Sequence, residues 1–278
     1  MNSALTRRIA LSLLLAAGLC SAQSAPYDRI YVFGDSYSDT GAGYVDGNGP
    51  TAVGYLAQRM GLTLAPSTAA SPGGKSLNFA VSGAQTGAGE GRTIKDSRLG
   101  CGMHNQADDF AALVRDGAVQ FAPESTLFYI AGGLNDKQLT GETTVANLEG
   151  IIRQLYQLGG RHFLIALMPT EIPNFSEVGQ RLNPFLERIP GDMAKELPSA
   201  DIHLSKWGPF FDEVMRNPDR YGITNTTDQC AGRALFDQDA TPCATPDAHY
   251  YYHSGHPSTA VHKIVGDKLY DEVLAMKQ

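Results

Sequence analysis

The stretch Gly34-Asp35-Ser36-Tyr37-Ser38-Asp39-Thr40-Gly41 follows directly on the apolar run Ile30 to Phe33. That run has the length and composition of a short strand covered on both faces, as parallel strands are. The octapeptide breaks it into a glycine-flanked turn. A serine just past the carboxyl end of a parallel strand points into the crevice where open α/β sheets bind ligands, and the chain that follows can aim backbone N–H groups at a developing anion. Ser36 is therefore a candidate nucleophile. Its bland alternative is a turn serine that caps the following helix.

Outward from this stretch, short apolar runs recur at Ser76 to Val81, Thr126 to Ala131, His162 to Leu167 and Asp201 to Leu204. Between the third and fourth of the five, Val145, Leu148, Ile151, Ile152, Leu155 and Leu158 repeat at helical spacing and stop at Gly159-Gly160. Further helices are expected over Pro50 to Met60, Asn105 to Val114 and Ser258 to Met276. The alternation predicts an α/β fold, with a parallel sheet of about five strands and helices on both faces.

Serine chemistry needs a base, donors for an oxyanion and a group that orients the base. In Asn78-Phe79-Ala80-Val81-Ser82-Gly83, a glycine lies just past the second strand, where its N–H can approach a substrate oxygen. Gly133-Leu134-Asn135-Asp136 does the same past the third strand and adds an amide donor. His253-Ser254-Gly255-His256-Pro257-Ser258 presents an imidazole on a loop before the last helix. Gly83 could instead serve backbone conformation alone, Asn135 its own turn, and His256 a surface role. Asp35, Asp39 and Asp136 are expected to brace turns, and His262 to pack.

The blocks GDSYSDTG, NFAVSGAQT, GGLND and HSGHPSTAVH, in that order, resemble the four signature blocks of the SGNH (GDSL) hydrolase family. NGPTAVGYLAQRMGL and NPDRYGITNTTDQC also resemble the lipase-type members, and the likeness points to an exported bacterial lipase or esterase. It implies a three-layer α/β/α, flavodoxin-like fold and ester hydrolysis without metal or cofactor. Carried over block by block, it makes Ser36 the nucleophile and an oxyanion donor, Gly83 the second donor, Asn135 the side-chain donor and His256 the base. The family's aspartate, three residues before that base, is replaced here by His253. A neutral imidazole orients but supplies no counter-charge. The third member of the triad is thus left between His253 and Asp247, a backbone carbonyl or a bound anion.

His249, His253 and His256 have metal-ligand spacing for a helix, but the glycine and proline around His256 argue against a continuous helix, and no metal is assigned. Tyr250 to Tyr252 are expected to anchor a strand or loop. No GxSxG surrounds a plausible serine, which disfavours an α/β-hydrolase. An acyltransferase on the same site, a weakened binding module and a metal-dependent hydrolase are the alternatives to the esterase.

Arg7 and Arg8, the apolar run Ile9 to Leu19 and the small exit Cys20-Ser21-Ala22 read as an export signal over residues 1–22, too short for a span that needs about 20 residues. Residues 23–278 suit one domain, secreted or periplasmic. The net charge of −7, without a basic cluster, argues against nucleic acid or anionic membrane as partner and for a small-molecule or lipid ester. Cys101, Cys230 and Cys243 are an odd set for an oxidising compartment. Cys230 and Cys243 flank a short polar loop and are expected to form a disulfide, with Cys101 a buried thiol.

Overall fold

The computed structural model describes residues 25–277; the expected export signal lies outside them. The strands are β1 (Arg29–Gly34), β2 (Leu64–Pro66), β3 (Ser76–Asn78), β4 (Arg92–Ile94), β5 (Ser97–Leu99), β6 (Thr126–Ala131), β7 (His162–Ala166), β8 (Asp201–Ser205), β9 (Asn225–Gln229), β10 (His249–His253) and β11 (His256–Pro257). The helices are α1 (Ala52–Arg59), α2 (Met103–Arg115), α3 (Gly141–Gln157), α4 (Ser176–Leu186), α5 (Ile189–Met193), α6 (Trp207–Arg216) and α7 (Thr259–Ala275).

Six strands form one parallel sheet in the order β2-β3-β1-β6-β7-β8. The five runs read from sequence are its β3, β1, β6, β7 and β8, and β2 is an added edge. That edge carried no signal, because Leu64-Ala65-Pro66 is three residues long and ends in proline, which a sheet tolerates at its margin. The run from Ser76 leaves the ladder after Asn78, whose side-chain oxygen accepts the Ala80 N–H at 2.9 Å.

Alternation along β1 sorts the layers. Tyr31 and Phe33 meet the ring of Phe110 on α2. Ser205, in register with the alternate row through Gly34, Ala131 and Ala166, hydrogen-bonds Glu272 of α7 at 2.5 Å. α1 and α6 pack on α7, and α3 packs on α2, so helices cover both faces. Gly266 lets α7 approach α1 closely, since a Cβ there would lie 2.7 Å from the Ala52 carbonyl. α4, α5 and α6 were not anticipated; each carries a proline, Pro184, Pro190 and Pro209.

The fold places its chemistry through one topological fact. From β1 the chain moves to β2 and β3 on one side and then crosses to β6 on the other. Strand order therefore reverses at β1, the place where doubly wound sheets open a crevice. Gln106 of α2 closes the end of this strand by accepting from the Gly34 N–H and donating to its carbonyl, both at 2.9 Å. At the far end of the chain, β10 and β11 pair antiparallel, with His253 opposite His256. His249, His253 and His256 thus sit on two strands rather than one helix. Tyr250 and Tyr251 are buried on β10. Pro257 belongs to β11, and α7 starts two residues later with Ser258 as its N-cap.

Candidate active site

Beyond Gly34 the chain makes a single tight turn, in which the N–H groups of Ser38 and Asp39 both return to the Asp35 carbonyl at 3.0 Å. This lifts Ser36 out of the sheet and leaves it 7% exposed. The acids of the block brace it, as expected. Asp35 accepts from the Tyr37 N–H at 3.1 Å. Asp39 gathers the N–H groups of Gly41, Gly43, Tyr44 and Ser82, tying the loop after β1 to the loop after β3. Asp136 does the same for the third loop through Thr86 and Thr144.

The Nε2 atom of His256 lies 2.8 Å from Ser36 Oγ, across 220 residues of sequence. On the other edge of the ring, Nδ1 is 3.0 Å from the Ser254 carbonyl and 2.6 Å from Nη2 of Arg233. Burial pushes this imidazole down to about 4, with Asp46 opposing the shift and Arg233 and His253 adding to it. His256 is thus neutral at pH 7 and able to accept a proton.

The other sequence candidates converge on the same place. Gly83 has φ +81°, a conformation that glycine adopts freely, and its N–H has no acceptor among the described residues; nor has that of Ser36. Asn135 donates one amide hydrogen to the Ala84 carbonyl at 2.9 Å, which fixes the side chain and leaves its second hydrogen for a ligand. Ser36, Gly83, Asn135 and His256 all line one cavity of about 420 Å3. Tyr44, Leu99, Phe175 and Phe236 supply its apolar wall, and Asp46, Arg92 and Arg233 its charges.

Of the candidates for orienting His256, neither side chain hydrogen-bonds it among the described residues, whereas a backbone carbonyl, that of Ser254, meets its Nδ1 at 3.0 Å. His253 makes no hydrogen bond with His256 among the described residues; its ring stacks on Tyr44 and its Nδ1 faces Asp46 Oδ1 at 3.5 Å. The β10–β11 pairing sets the two histidines side by side, while the turn through Ser254 supplies the carbonyl that meets Nδ1. Asp247 is exposed in a short 3-10 turn, Pro246–Ala248, and forms no ion pair with His256 among the described residues. What the sequence reading missed is the pair Asp46 and Arg233. Asp46 is 6% exposed, accepts from Ser82 Oγ at 2.7 Å, and lies 2.8 Å from Arg233 Nε and 3.6 Å from His256 Nε2. It sits in a polar, glycine-rich loop that looks like many surface loops, and no local pattern marks it.

Cys230 and Cys243 are joined by a disulfide, and Cys101 is a buried thiol. The bridge closes the loop that carries Arg233 and Phe236 to the cavity. His262 is buried in the interior, accepting the Ala52 N–H at 3.2 Å.

A serine hydroxyl bonded to a neutral imidazole, with free N–H groups and an amide converging at the switch point of a parallel sheet, is the equipment of an ester hydrolase. Residues 30–269 match the family described as GDSL-like lipase/acylhydrolase, and the chain belongs to it. A GDSL esterase/lipase of Arabidopsis thaliana is 26% identical over 273 residues, covering 80% of this chain and 70% of that protein. A second from the same plant is 28% identical over 144 residues, covering 43% of this chain and 40% of that protein. Among solved structures, a member of the lipolytic G-D-S-L family from Veillonella parvula aligns over 87% of this chain and 96% of its own, with 11% identity and a TM-score of 0.47. The psychrotrophic esterase EstA from Pseudoalteromonas sp., inhibited by monoethylphosphonate, aligns over 89% and 97%, with 12% identity and a TM-score of 0.46.

Proposed function

We propose that this protein is an exported serine esterase that hydrolyses carboxylic esters of short to medium acyl chains through an acyl-enzyme. The observation that carries the reading is the 2.8 Å contact between Ser36 Oγ and His256 Nε2, beside two N–H groups without acceptors among the described residues. Ser36 attacks the ester carbonyl while its proton moves to Nε2. The oxyanion is held by the N–H groups of Ser36 and Gly83 and by the Asn135 amide, each worth about 10²–10³ in rate. His256 returns the proton to the departing alcohol. Water, deprotonated by the same nitrogen, then releases the acid.

Two features support the substrate class. The cavity volume, about 420 Å3, is at the small end of ligand pockets. Tyr44, Leu99, Phe175 and the 39% exposed Phe236 form an apolar side to it, which suits a modest acyl chain. No described helix is long and apolar enough to cross a membrane. Export is supported by the N-terminal pattern together with the disulfide, a bond of oxidising compartments.

The test is hydrolysis of p-nitrophenyl esters from acetate to palmitate by the wild type and by Ser36→Ala. Expected are turnover that peaks at short or medium chains, loss of turnover in the variant, and labelling by a fluorophosphonate at Ser36 alone. Wild-type activity in Ser36→Ala would overturn the reading.

A further inference from the structure

Moving the Ser36 proton onto His256 creates an imidazolium, which serine hydrolases stabilise with a buried carboxylate. His253 holds the position from which such an acid would come and carries no negative charge. The titratable and charged groups facing His256 are Asp46 from the loop after β1, Arg233 from the disulfide loop, His253 from β10 and the Tyr37 phenol packed on the ring. His262 of α7 lies behind Tyr37, and burial keeps it neutral, at about 3. Burial also holds Tyr37 well above the usual range of a phenol, so it too is neutral. Asp46 is the anion of this set.

We propose that Asp46 is the positioning residue that gives His256 its counter-charge, an acid delivered from the loop after β1 in place of one at residue 253. The carboxylate is held by one hydrogen bond and has two further close neighbours. Oδ2 accepts from Ser82 Oγ, and Oδ1 faces Arg233 Nε at 2.8 Å and His253 Nδ1 at 3.5 Å. Burial pushes its carboxyl up, but His253, His256, Arg233 and Ser82 together outweigh burial and hold it below the usual carboxylate range.

The arrangement inverts the usual polarity around the ring. The nitrogen remote from the serine, Nδ1, faces a carbonyl and a guanidinium, while the carboxylate lies 3.6 Å from Nε2, the atom that receives the proton. The reactive neutral tautomer carries its hydrogen on Nδ1, where the Ser254 carbonyl accepts it against the competing Arg233 donor, and leaves the Nε2 lone pair to Ser36. Asp46 gains its attraction as Nε2–H⁺ forms. The interaction is therefore stronger in the transition state than in the ground state, which is the condition for it to accelerate the reaction. Asp46 exchanges no proton; the proton passes from Ser36 Oγ to Nε2 and on to the leaving alcohol. By pairing with Arg233, Asp46 also offsets the cation that presses on Nδ1.

The inference rests on the Ser36–His256 reading, and one set of variants separates the two. In the full chain, assayed on p-nitrophenyl butyrate, Asp46→Asn is expected to lose about 10²-fold in kcat/KM, below the ~10⁴ of a directly bonded acid, with fluorophosphonate labelling of Ser36 retained. The acid limb of its pH profile is expected to move to lower pH, since His256 loses its anion. Asp46→Asn/His253→Asp is expected to recover at least tenfold, because residue 253 lies opposite His256 and regains an acid. Activity of Asp46→Asn within threefold of wild type, or a loss with neither rescue nor a moved limb, would overturn the role of Asp46. Wild-type hydrolysis by Ser36→Ala would instead remove the underlying reading. Should Asp46→Asn not fold, His253→Asp alone decides: a gain below threefold fits a site already supplied with charge, and a gain of tenfold or more refutes it.

Discussion

The phenol of Tyr37 donates a hydrogen bond to the Gly255 carbonyl at 2.8 Å, joining the residue after the nucleophile to the residue before the base. The ring beneath that bond is wedged among Phe175, Trp207 and Phe211, so the clamp is anchored in the core. Tyr37→Phe keeps the packing and orphans a buried carbonyl, at a cost of about 1–3 kcal/mol. Thermal denaturation should register that loss. Activity should fall about tenfold through kcat, with KM little changed, because the Ser36–His256 distance is no longer held from below. Unaltered kcat would show that the loop around His256 needs no such anchor.

Oxyanion stabilisation should divide between two kinds of variant. Asn135→Ala removes an amide aimed at the cavity and is expected to lower kcat by about 10²–10³ at unchanged fold. Gly83→Ala puts a side chain at φ +81°, with Gly100 backbone atoms 3.5 Å from the new carbon, and should lose both stability and rate. Circular dichroism alongside steady-state kinetics separates the two cases.

The pH profile follows from burial of the base. His256 accepts a proton only when neutral, and its pKa is down at about 4. kcat/KM should therefore climb through a midpoint near pH 4 and be level at neutrality, where an unperturbed histidine would put the limb near 6.5. Asp35, pushed up to about 7 chiefly by burial, titrates nearby but braces the Tyr37 N–H rather than the base. The limb near 4 should accordingly persist in Asp35→Asn. A limb near 6.5 in both enzymes would mean that the imidazole is far better hydrated than its surroundings suggest.

The disulfide should couple stability to activity. Closing a loop across a sequence separation of 13 stabilises by about 3 kcal/mol in the chain-entropy model. Since that loop carries Arg233 and Phe236 to the cavity, Cys230→Ser/Cys243→Ser should lower both the melting temperature and kcat/KM. Peptide mapping without reduction should recover this pair linked and Cys101 free.

Asp247 serves as the control among acids near the histidine. Exposed and unpaired with His256 among the described residues, it should tolerate Asp247→Asn with kcat/KM within about twofold of wild type. A large loss there would place the orienting charge on the exposed turn.

What the sequence by itself determined is everything governed by local rules. Five short apolar runs, each ending in a glycine-bearing or polar turn, defined the core strands and hence the edge at which Ser36, Gly83, Asn135 and the loop of His256 gather. Burial of both faces and turn conformation leave their marks within a few residues of chain. The pairing of Cys230 with Cys243 was legible for the same reason, being a short loop. The surroundings of the base were decided by the tertiary structure alone. His253 stands three residues from His256 and turns to Asp46 instead, while Asp46 and Arg233 arrive from 210 and 23 residues away. Charges of this kind are placed by where loops cross at the end of a sheet, and that depends on strand order and on the clamp between Tyr37 and Gly255. Asp46 in its own loop is an ordinary polar residue; buried against Ser82, Arg233 and two histidines, it becomes the anion of the site.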